Sequence, residues 1–313
     1  MNIALDMMGG DFAPEQAVKG LQLYLSESDT AFLLLIGDEQ IISPLLQENK
    51  IPSSVYKIVH APEIIGMHEH PIKALKEKQR SSISVGFHIL ATGKADAFIS
   101  AGNTGAMLVG SLYSIKAIEG IQRPTIATII PRENGKTGLL LDVGANADCK
   151  PENLNQFALL GSLYAQNILG IDNPRVGLIN IGEEEGKGNL LAQASYPLLK
   201  NNRQINFIGN VEGRDVFLDN ADVMVCEGFT GNIILKLAES LFEITKRQNV
   251  HNEYFDRFNF EDYGGTPVLG VNKPVIIGHG ISQAKAFKNM IVLAKKIIDT
   301  ELLGKMKTSF EGN

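Results

Sequence analysis

The sequence predicts an α/β fold with a largely parallel sheet flanked by helices. Short apolar runs rich in β-branched residues alternate with longer helical stretches, as in successive strand–helix–strand units. Several of these runs stop abruptly in glycine and asparagine, as buried strands do where a tight loop leads into a helix. With 313 residues, 44% of them hydrophobic, the chain suits one large α/β unit or two lobes around a central cleft.

The strands are predicted from apolar runs bounded by polar residues, glycine or proline. They lie at 2–6, 31–36, 55–60, 96–100, 125–130, 138–142, 175–180, 205–208, 222–226 and 274–277. We interpret 1–313 as a single catalytic α/β unit. Its lobes are expected at about 1–125 with 265–313, and at 126–264.

Two helices stand out between and after these strands. Residues 71–92 are charged and helix-rich, and they end near Gly93, a suitable C′ residue. The last helix is predicted to begin after Ser282, a good N-cap, and it has an apolar stripe that includes Phe287. Residues 248–261 are polar and aromatic with weak periodicity, so we expect them to project from the body or to form an excursion between lobes.

Composition excludes several classes of protein. The net charge of −6 disfavours a general nucleic-acid role. Two cysteines do not make a disulfide framework, which favours a reducing cytoplasm. No signal peptide is visible, and the uncharged stretch 97–115 is too rich in glycine and polar residues for a membrane span.

Loops at the carboxyl ends of the strands predict a small-molecule site. Ligands bind outside those ends in an open α/β sheet, and loops poor in side chains present backbone N–H groups to anions such as phosphate. The first such loop contains Asp6, Gly9, Gly10 and Asp11. Its glycines let the backbone approach a ligand, but an ordinary tight turn before a helix near Pro14 is an equal alternative.

The loop 100–105 is the best candidate for holding phosphate. Its residues are small or have hydroxyl or amide groups: Ser100, Gly102, Asn103, Thr104 and Gly105. Because the loop comes just before a helix, N–H groups and the helix dipole can act together on an anion. A glycine-rich packing turn is the alternative interpretation.

The loop 182–189 superficially looks like a P-loop but is not one. Its spacing is one residue short, and no serine or threonine follows Lys187. No G-x-G-x-x-G follows the first strand, so the dinucleotide fingerprint is also missing. A lysine held by glycines at a strand end suits a clamp for an oxyanion or phosphate, whereas the acids 183–185 equally indicate a solvated loop.

Two further loops contain polar candidates. Residues 227–232 begin with Glu227 and end with Asn232, which we interpret as a natural N-cap for an apolar helix from Ile233. His279 lies between two glycines after a strand and is a candidate member of a polar site.

Neither a metal nor a cofactor is predicted. His68 and His70 form an H-x-H pair, but no further histidine or cysteine lies nearby at a ligand-like spacing. Cys149 and Cys226 have no adjacent histidine in the sequence, and nothing favours a cysteine nucleophile.

Taken together and in order, these motifs resemble the bacterial phosphate acyltransferase family, PlsX. The matching stretches are 6–11 (D-x-M-G-G-D), 71–82, 100–105 (S-x-G-N-T-G), 142–146 (D-x-G-A-N), 180–188 (N-I-G-x-E-x-x-K-G), 227–236 (E-G-F-x-G-N-x-x-L-K), 263–265 (Y-G-G) and 279–287 (H-G-x-S-x-A-K-A-F). They span nearly the whole chain, and the ordered set is highly specific.

The resemblance implies that a long-chain acyl group moves from acyl carrier protein to inorganic phosphate. The product is acyl phosphate for phospholipid synthesis. The resemblance also implies a fold similar to isopropylmalate dehydrogenase and phosphotransacetylase, and a cytoplasmic homodimer at the inner face of the membrane. The stretch 237–263 is shorter than is usual in the family, so we expect a weak peripheral membrane contact or a contact with a membrane acyltransferase.

For this reaction we predict direct attack of phosphate on a thioester carbonyl, without a strong general base. Phosphate binding is assigned to the loop 102–105 with help from Lys187. Asn180 and Asn232 are candidates for oxyanion binding or positioning. The residues expected to orient these two asparagines are Asp142, Asn146, Glu183, Glu227 and His279. Asp6, Gly9, Gly10 and Ser100 complete the predicted substrate site.

Two basic patches are candidates for steering an acidic carrier protein. One is the cluster Lys73, Lys76, Lys78 and Arg80, which otherwise is a solvated helix face. The other consists of Lys285 and Lys288. Three alternative functions stay open: a short-chain phosphate acyltransferase that uses coenzyme A, a metal-dependent hydroxyacid dehydrogenase, and a non-catalytic scaffold for lipid synthesis.

Overall fold

The computed structural model describes residues 1–27 and 31–311. The chain divides into two compact units. Unit 1 consists of Met1–Ala117 and Phe260–Leu303, and unit 2 consists of Ile118–Asn259 and the residues from Gly304 onward. The predicted cleft between lobes stays a prediction.

Strands and helices alternate along most of the chain. The strands are β1 (Asn2–Asp6), β2 (Phe32–Gly37), β3 (Tyr56–His60), β4 (Ala97–Ser100), β5 (Thr125–Pro131), β6 (Thr137–Leu141), β7 (Arg175–Asn180), β8 (Asn206–Glu212), β9 (Val223–Val225), β10 (Thr266–Leu269) and β11 (Val275–Ile277). The helices are α1 (Glu15–Glu27), α2 (Glu39–Glu48), α3 (Pro71–Glu77), α4 (Ser82–Ala91), α5 (Thr104–Gly110), α6 (Pro151–Tyr164), α7 (Leu190–Asn201), α8 (Gly228–Arg247), α9 (Glu253–Asp256), α10 (Ala284–Asp299) and α11 (Leu302–Phe310).

In unit 1 the strand order is β3-β2-β1-β4-β11-β10. All pairs are parallel except β10 with β11. Leu5 pairs with Ile99, and Ile277 pairs with Ser100, so the carboxyl ends of β1, β4 and β11 lie side by side. Every residue of β4 is buried, as expected of a central parallel strand.

In unit 2 the order is β5-β6-β9-β7-β8, with β5 antiparallel to β6 and the other pairs parallel. Leu141 and Leu178 both pair with Val225. The carboxyl ends of β6, β9 and β7 therefore meet at one edge, where the loops with candidate site residues begin. The prediction of a largely parallel sheet flanked by helices is confirmed.

Two local predictions are wrong, and one strand was missed. The predicted helix over 71–92 is broken into α3 and α4, because the Ser81 side chain caps a new helix by accepting from the Ser84 N–H. The helix predicted as the last one is α10, which begins at Ala284 with Gln283 as N-cap and is followed by α11; the Ser282 hydroxyl is buried without a partner in the described part of the chain. Strand β10 was not predicted, since Pro267 and the preceding glycines indicate a turn.

The segment 248–261 does not simply project. Phe258 is buried, and its ring meets those of Phe217 and Tyr254 edge-on. Arg257 donates to the backbone carbonyls of Arg132 and Lys136. Aromatic packing and these two charge-assisted bonds hold the segment on unit 2.

Candidate active site

The loop after β4 in unit 1 is held by a chain of buried hydrogen bonds. The Ser100 hydroxyl donates to the Asp6 carboxylate at 2.6 Å and accepts from the Gly102 N–H at 3.0 Å. The other Asp6 oxygen accepts from the Met8 N–H at 2.9 Å. Asp6 and Ser100 are fully buried, so the two side chains fix the loops 6–11 and 100–105 from beneath. Burial raises the pKa of Asp6, while the hydrogen bond from Ser100 opposes that rise.

Gly9 allows these two loops to approach each other. A Cβ at Gly9 would lie 2.6 Å from the Gly102 nitrogen and 2.9 Å from the Ser100 hydroxyl. Gly10 has a φ of 103°, which L side chains rarely adopt, and it faces the backbone of Gly280. The predicted site residues of these loops are therefore in contact within unit 1.

The Asn103 side chain forms hydrogen bonds with backbone groups on both of its polar atoms. Its Oδ1 caps α5 by accepting from the Ala106 N–H, and its Nδ2 donates to the carbonyls of Gly66, Met67 and Glu69 at 2.9–3.2 Å. This cap binds the Ala106 N–H and does not bind the N–H groups of Thr104 and Gly105 at the start of α5. Thr104 is exposed, and the first N–H groups of a helix have no partner within that helix.

His279 follows β11 and is half-buried in unit 1. Its ring lies 4.9 Å from that of Phe260. Its neighbours are tied to the same loops, because the Gly278 N–H donates to the Ser100 carbonyl and the Asp11 N–H donates to the Gly280 carbonyl. His279 is thereby placed beside the loop 100–105.

Asp142 organises the loop after β6 in unit 2. One oxygen accepts from the N–H groups of Ile126 and Ala145, and the other accepts from the N–H and side-chain amide of Asn146 at 2.6 and 2.9 Å. Burial raises the pKa of this carboxyl, and the hydrogen bonds from Asn146 oppose the rise. Asp142 and Asn146 thus shape the loop instead of pointing to solvent.

Helix α8 begins against this loop, which corrects the predicted N-cap. The N-cap is Glu227, whose side chain accepts from the N–H and hydroxyl of Thr230 at 3.0 and 2.6 Å. Asn232 lies inside the helix, is exposed, and donates to the Val143 carbonyl at 3.1 Å. Sequence reasoning placed the helix start too late because glycines at 228 and 231 indicate a loop; here they permit close contact.

Lys187 lies on an exposed loop that two asparagines hold. Asn180 donates to the Lys187 carbonyl at 3.0 Å and accepts from the Ile181 N–H at 2.8 Å. Asn210, which sequence reasoning missed, donates to the Glu184 carbonyl at 2.8 Å. Gly209 and Asn210 follow the predicted strand 205–208 and were the available signal, but β8 continues through them to Glu212. The Lys187 ammonium makes no ion pair with any described residue.

Comparison with known proteins identifies the chain. The family model described as fatty acid synthesis protein matches residues 1–305. The phosphate acyltransferase of Dictyoglomus turgidum is 45% identical, over 96% of this chain and 95% of that protein. That of Aquifex aeolicus is 44% identical, over 98% of this chain and 96% of that protein. The chain belongs to the PlsX family of phosphate acyltransferases.

Solved structures show the same fold as this PlsX-family chain. A phosphotransacetylase from Streptococcus pyogenes superimposes with a TM-score of 0.67 at 19% identity, covering 96% of this chain and 94% of that one. A branched-chain phosphotransacylase from Enterococcus faecalis V583 gives 0.63 at 16%, covering 95% and 98%. The predictions of an α/β fold and of an acyltransferase are confirmed.

The thiols of this acyltransferase are poor nucleophiles. Burial raises the pKa of Cys149 to about 12 and that of Cys226 well above its usual value. Cys226 is fully enclosed and approaches the Asp142 carbonyl at 3.8 Å. Since the thiolate is the reactive form, neither cysteine is set up for covalent catalysis.

One cluster of acids, Glu183, Glu212 and Asp215, has the spacing of a metal site among the described residues. The Arg214 guanidinium already pairs with two of these acids, at 3.5 Å from Glu183 and 2.5 Å from Glu212. Asp215 accepts from the Glu212 N–H and from Asn220. Arg214 therefore offsets only one of the three negative charges, and it lies close to both Glu183 and Glu212.

Proposed function

We propose that this chain transfers a long-chain fatty acyl group from acyl carrier protein to inorganic phosphate, forming acyl phosphate for phosphatidic acid synthesis. The observation that carries the proposal is the near full-length similarity to phosphate acyltransferases in a family described by fatty acid synthesis. A site without an activated nucleophile supports direct transfer to phosphate.

In unit 1 the start of α5 is assigned to phosphate. The ligands are the N–H groups of Thr104 and Gly105 together with the Thr104 hydroxyl, where the helix dipole favours an anion. Asp6, Ser100 and Asn103 act beneath them as positioning residues, because their side chains are occupied in holding the loop. His279 is assigned to the same loop cluster as a polar neighbour.

In unit 2 the assigned groups are the Lys187 ammonium and the Asn232 side chain. Phosphate is largely dianionic near neutral pH, with a second pKa of about 6 to 7 by comparison with phosphoesters. Its oxygen attacks the thioester carbonyl carbon, and a C–O bond forms. The tetrahedral intermediate then collapses as the C–S bond breaks, and the electron pair leaves on the carrier thiolate, which takes a proton from water. A cation and an amide donor stabilise the charge that develops.

Asn180, Glu183, Asp142, Asn146 and Glu227 are assigned supporting roles in unit 2. Asn180 holds the Lys187 loop, and Asp142 with Asn146 forms the seat of α8. Gly228 donates its N–H to the Asn146 carbonyl at 2.7 Å. Glu227 caps the helix that contains Asn232.

We also propose a homodimer and a weak contact with the membrane or with a membrane acyltransferase. Phe229, Ile233 and Leu237 are 64%, 52% and 62% exposed at a spacing of four on α8, so they form one apolar stripe. In the described part of the chain, no helix is long and apolar enough to cross a membrane. Sedimentation should give twice the chain mass of 34.0 kDa, and flotation with liposomes measures the membrane contact.

The deciding experiment mixes the purified protein with palmitoyl-acyl carrier protein and inorganic phosphate. Free carrier thiol is followed, and acyl phosphate is trapped with hydroxylamine. We expect phosphate-dependent release of both. Turnover of short acyl-coenzyme A alone would replace the donor in this proposal, and no turnover with either donor would favour the scaffold.

A further inference from the structure

A surface of unit 1 combines exposed apolar and basic side chains next to the loop 100–105. Ile64, Met67 and Ile72 are 44%, 39% and 55% exposed. Lys76 lies four residues after Ile72 and three after Lys73 on α3, so it neighbours both along the helix surface, and all three side chains are exposed. Buried Ala74 faces the interior. An exposed apolar patch with a basic rim is typical of a protein-binding surface.

The cations of this surface are available to a partner. In the part of the chain that the structure describes, the side chains of Lys73, Lys76 and Arg80 have no ionic partner. Lys78 is different: it is bound to Glu69 at 2.5 Å and to the Ile64 carbonyl at 2.8 Å. The hydrogen bond from Lys78 lowers the pKa of Glu69. Lys78 therefore builds the surface, and the other three cations face outward from a chain of net charge −6.

The surface is joined to the candidate site by direct bonds. The Asn103 amide holds the carbonyls of Gly66, Met67 and Glu69. A Cβ at Gly105 would meet the ring of Pro71, the first residue of α3. At the other end of the segment, the Glu63 carboxylate accepts from the Arg80 N–H at 3.0 Å. A partner bound here would rest against residues that fix the start of α5.

The alternative basic patch is already paired. Lys285 forms an ion pair with Asp262. Lys288 forms one with Glu27 at 2.7 Å. Attraction from these two lysines is partly cancelled by the acids beside them, so they are weaker attractors of an acidic protein than Lys73 and Lys76.

We propose that Ile64, Met67, Ile72, Lys73, Lys76 and Arg80, hereafter the carrier face, are the docking surface for the acidic carrier protein that delivers the acyl thioester. The proposal rests on the proposed function and adds the place of docking. Long-range attraction by the cations brings the carrier to this face, and the apolar side chains hold it in contact. Glu77, an exposed acid on the same helix α3, opposes this attraction.

The test compares two double variants of the full chain with the wild type. Lys73→Glu with Lys76→Glu reverses charge on the carrier face, and Lys19→Glu with Lys57→Glu makes the same change at exposed lysines elsewhere in unit 1. We expect the first pair to raise the KM for palmitoyl-acyl carrier protein about tenfold or more. The KM for inorganic phosphate and the kcat at saturating carrier should stay within twofold.

Salt dependence and a third variant sharpen the test. The wild-type KM for the carrier protein should rise with salt, and that of the Lys73→Glu, Lys76→Glu variant should rise less, since less attraction remains to be screened. Ile72→Ser should raise the same KM without changing the salt dependence. Circular dichroism should show that all variants fold.

Two results would overturn docking at this face while leaving the reaction intact. One is a carrier KM equal to wild type in the carrier-face variants; the other is an equal rise in the Lys19→Glu, Lys57→Glu control. A wild-type protein that turns over no acyl-carrier substrate would instead refute the proposed function. The two failures are therefore distinguishable.

Discussion

At the scale of single residues, the candidate loops of each unit contain two kinds of polar side chain, those that build the loop and those that remain available for chemistry. The first kind hydrogen-bonds to the backbone and to neighbouring side chains, and its members are Asp6, Ser100, Asn103 and Asp142. Lys187, on the loop after β7, and Asn232, inside α8, are by contrast exposed. The candidates for direct contact with substrate are thus few, although many polar residues line these loops.

Lys187→Ala and Asn232→Ala should fold normally and lose catalysis. Removal of one group that stabilises a developing oxyanion typically lowers kcat about a hundredfold or more. Turnover of palmitoyl-acyl carrier protein with phosphate measures the loss, and circular dichroism checks the fold. Lys246→Ala, at an exposed lysine of the same unit, is the control and should retain wild-type kcat. Wild-type kcat in either test variant would remove that residue from the mechanism.

At the scale of elements, helix α8 fits on the loop after β6 only because of its glycines. A Cβ at Gly231 would overlap the Asp142 carbonyl oxygen, and one at Gly228 would come within 2.9 Å of the Asn146 backbone nitrogen. These are backbone atoms of a loop already fixed by the Asp142 carboxylate. The close approach is what brings Asn232 to the Val143 carbonyl.

Gly231→Ala should therefore destabilise the protein by about 3 kcal/mol or more, since backbone cannot move aside as a side chain can. Urea unfolding followed by circular dichroism gives the free energy. Gly186→Ala is the matched control, because a Cβ there meets nothing within 4 Å, and its effect should stay within about 0.5 kcal/mol. Equal stability of the two variants would show that α8 does not pack against the loop after β6 as described.

The Lys187 loop depends on Asn210 of β8. Asn210→Ala removes the donor to the Glu184 carbonyl, so the loop is held from one side only. We expect kcat to fall about tenfold by misplacement of Lys187. A double-mutant cycle is the measurement: in the Lys187→Ala background the same change should cost nothing further. A full additional loss there would mean that Asn210 acts elsewhere.

At the scale of the whole molecule, we expect acid stability to depend on an ion cluster around the buried Arg132 in unit 2. Arg132 is fully buried and binds Asp219 and Asp222 at 2.6 and 2.9 Å, and Arg175 binds the same two acids. Burial alone would raise the pKa of Asp222, but bonds from Arg175 and Arg132 outweigh it and lower the pKa to about 2. This carboxylate therefore stabilises the fold above its unfolded pKa of 3.8.

That stabilisation should fade as the pH falls from about 4 through 2. At pH 6 it amounts to about 2 kcal/mol, and at pH 3 to about half of that. The chain contains no tryptophan, so urea unfolding between pH 6 and 3 is followed by circular dichroism. Asp222→Asn should be less stable than wild type by at least this amount at pH 6, and the difference should shrink at pH 3. A difference independent of pH would assign the loss to packing alone.

The sequence by itself determined the sheet, the order of its strands along the chain and the loops with polar residues. Apolar β-branched runs and glycine-rich stops are local signals, so most strands from 2–6 to 274–277 were predicted closely, whereas β8 extends past its predicted end to Glu212 and β10 was missed. The same local signals failed where contacts with other residues determine the secondary structure. Ser81 divides one predicted helix in two, and contact with the Asp142 loop lets the Gly228–Gly231 segment be helix instead of loop.

Only the tertiary structure decided what each polar side chain does. Asn103 and Asn232 look alike in sequence, each next to glycine after a strand. In the folded chain the Asn103 side chain caps α5 and binds three carbonyls, whereas Asn232 is exposed and its side chain donates to the Val143 carbonyl. Likewise, among the residues that the structure describes, Lys78 forms an ion pair with Glu69 and Lys73 forms none. Hydrogen bonds between residues far apart in sequence make these distinctions, because local pattern fixes where a side chain starts and packing fixes which atoms it meets.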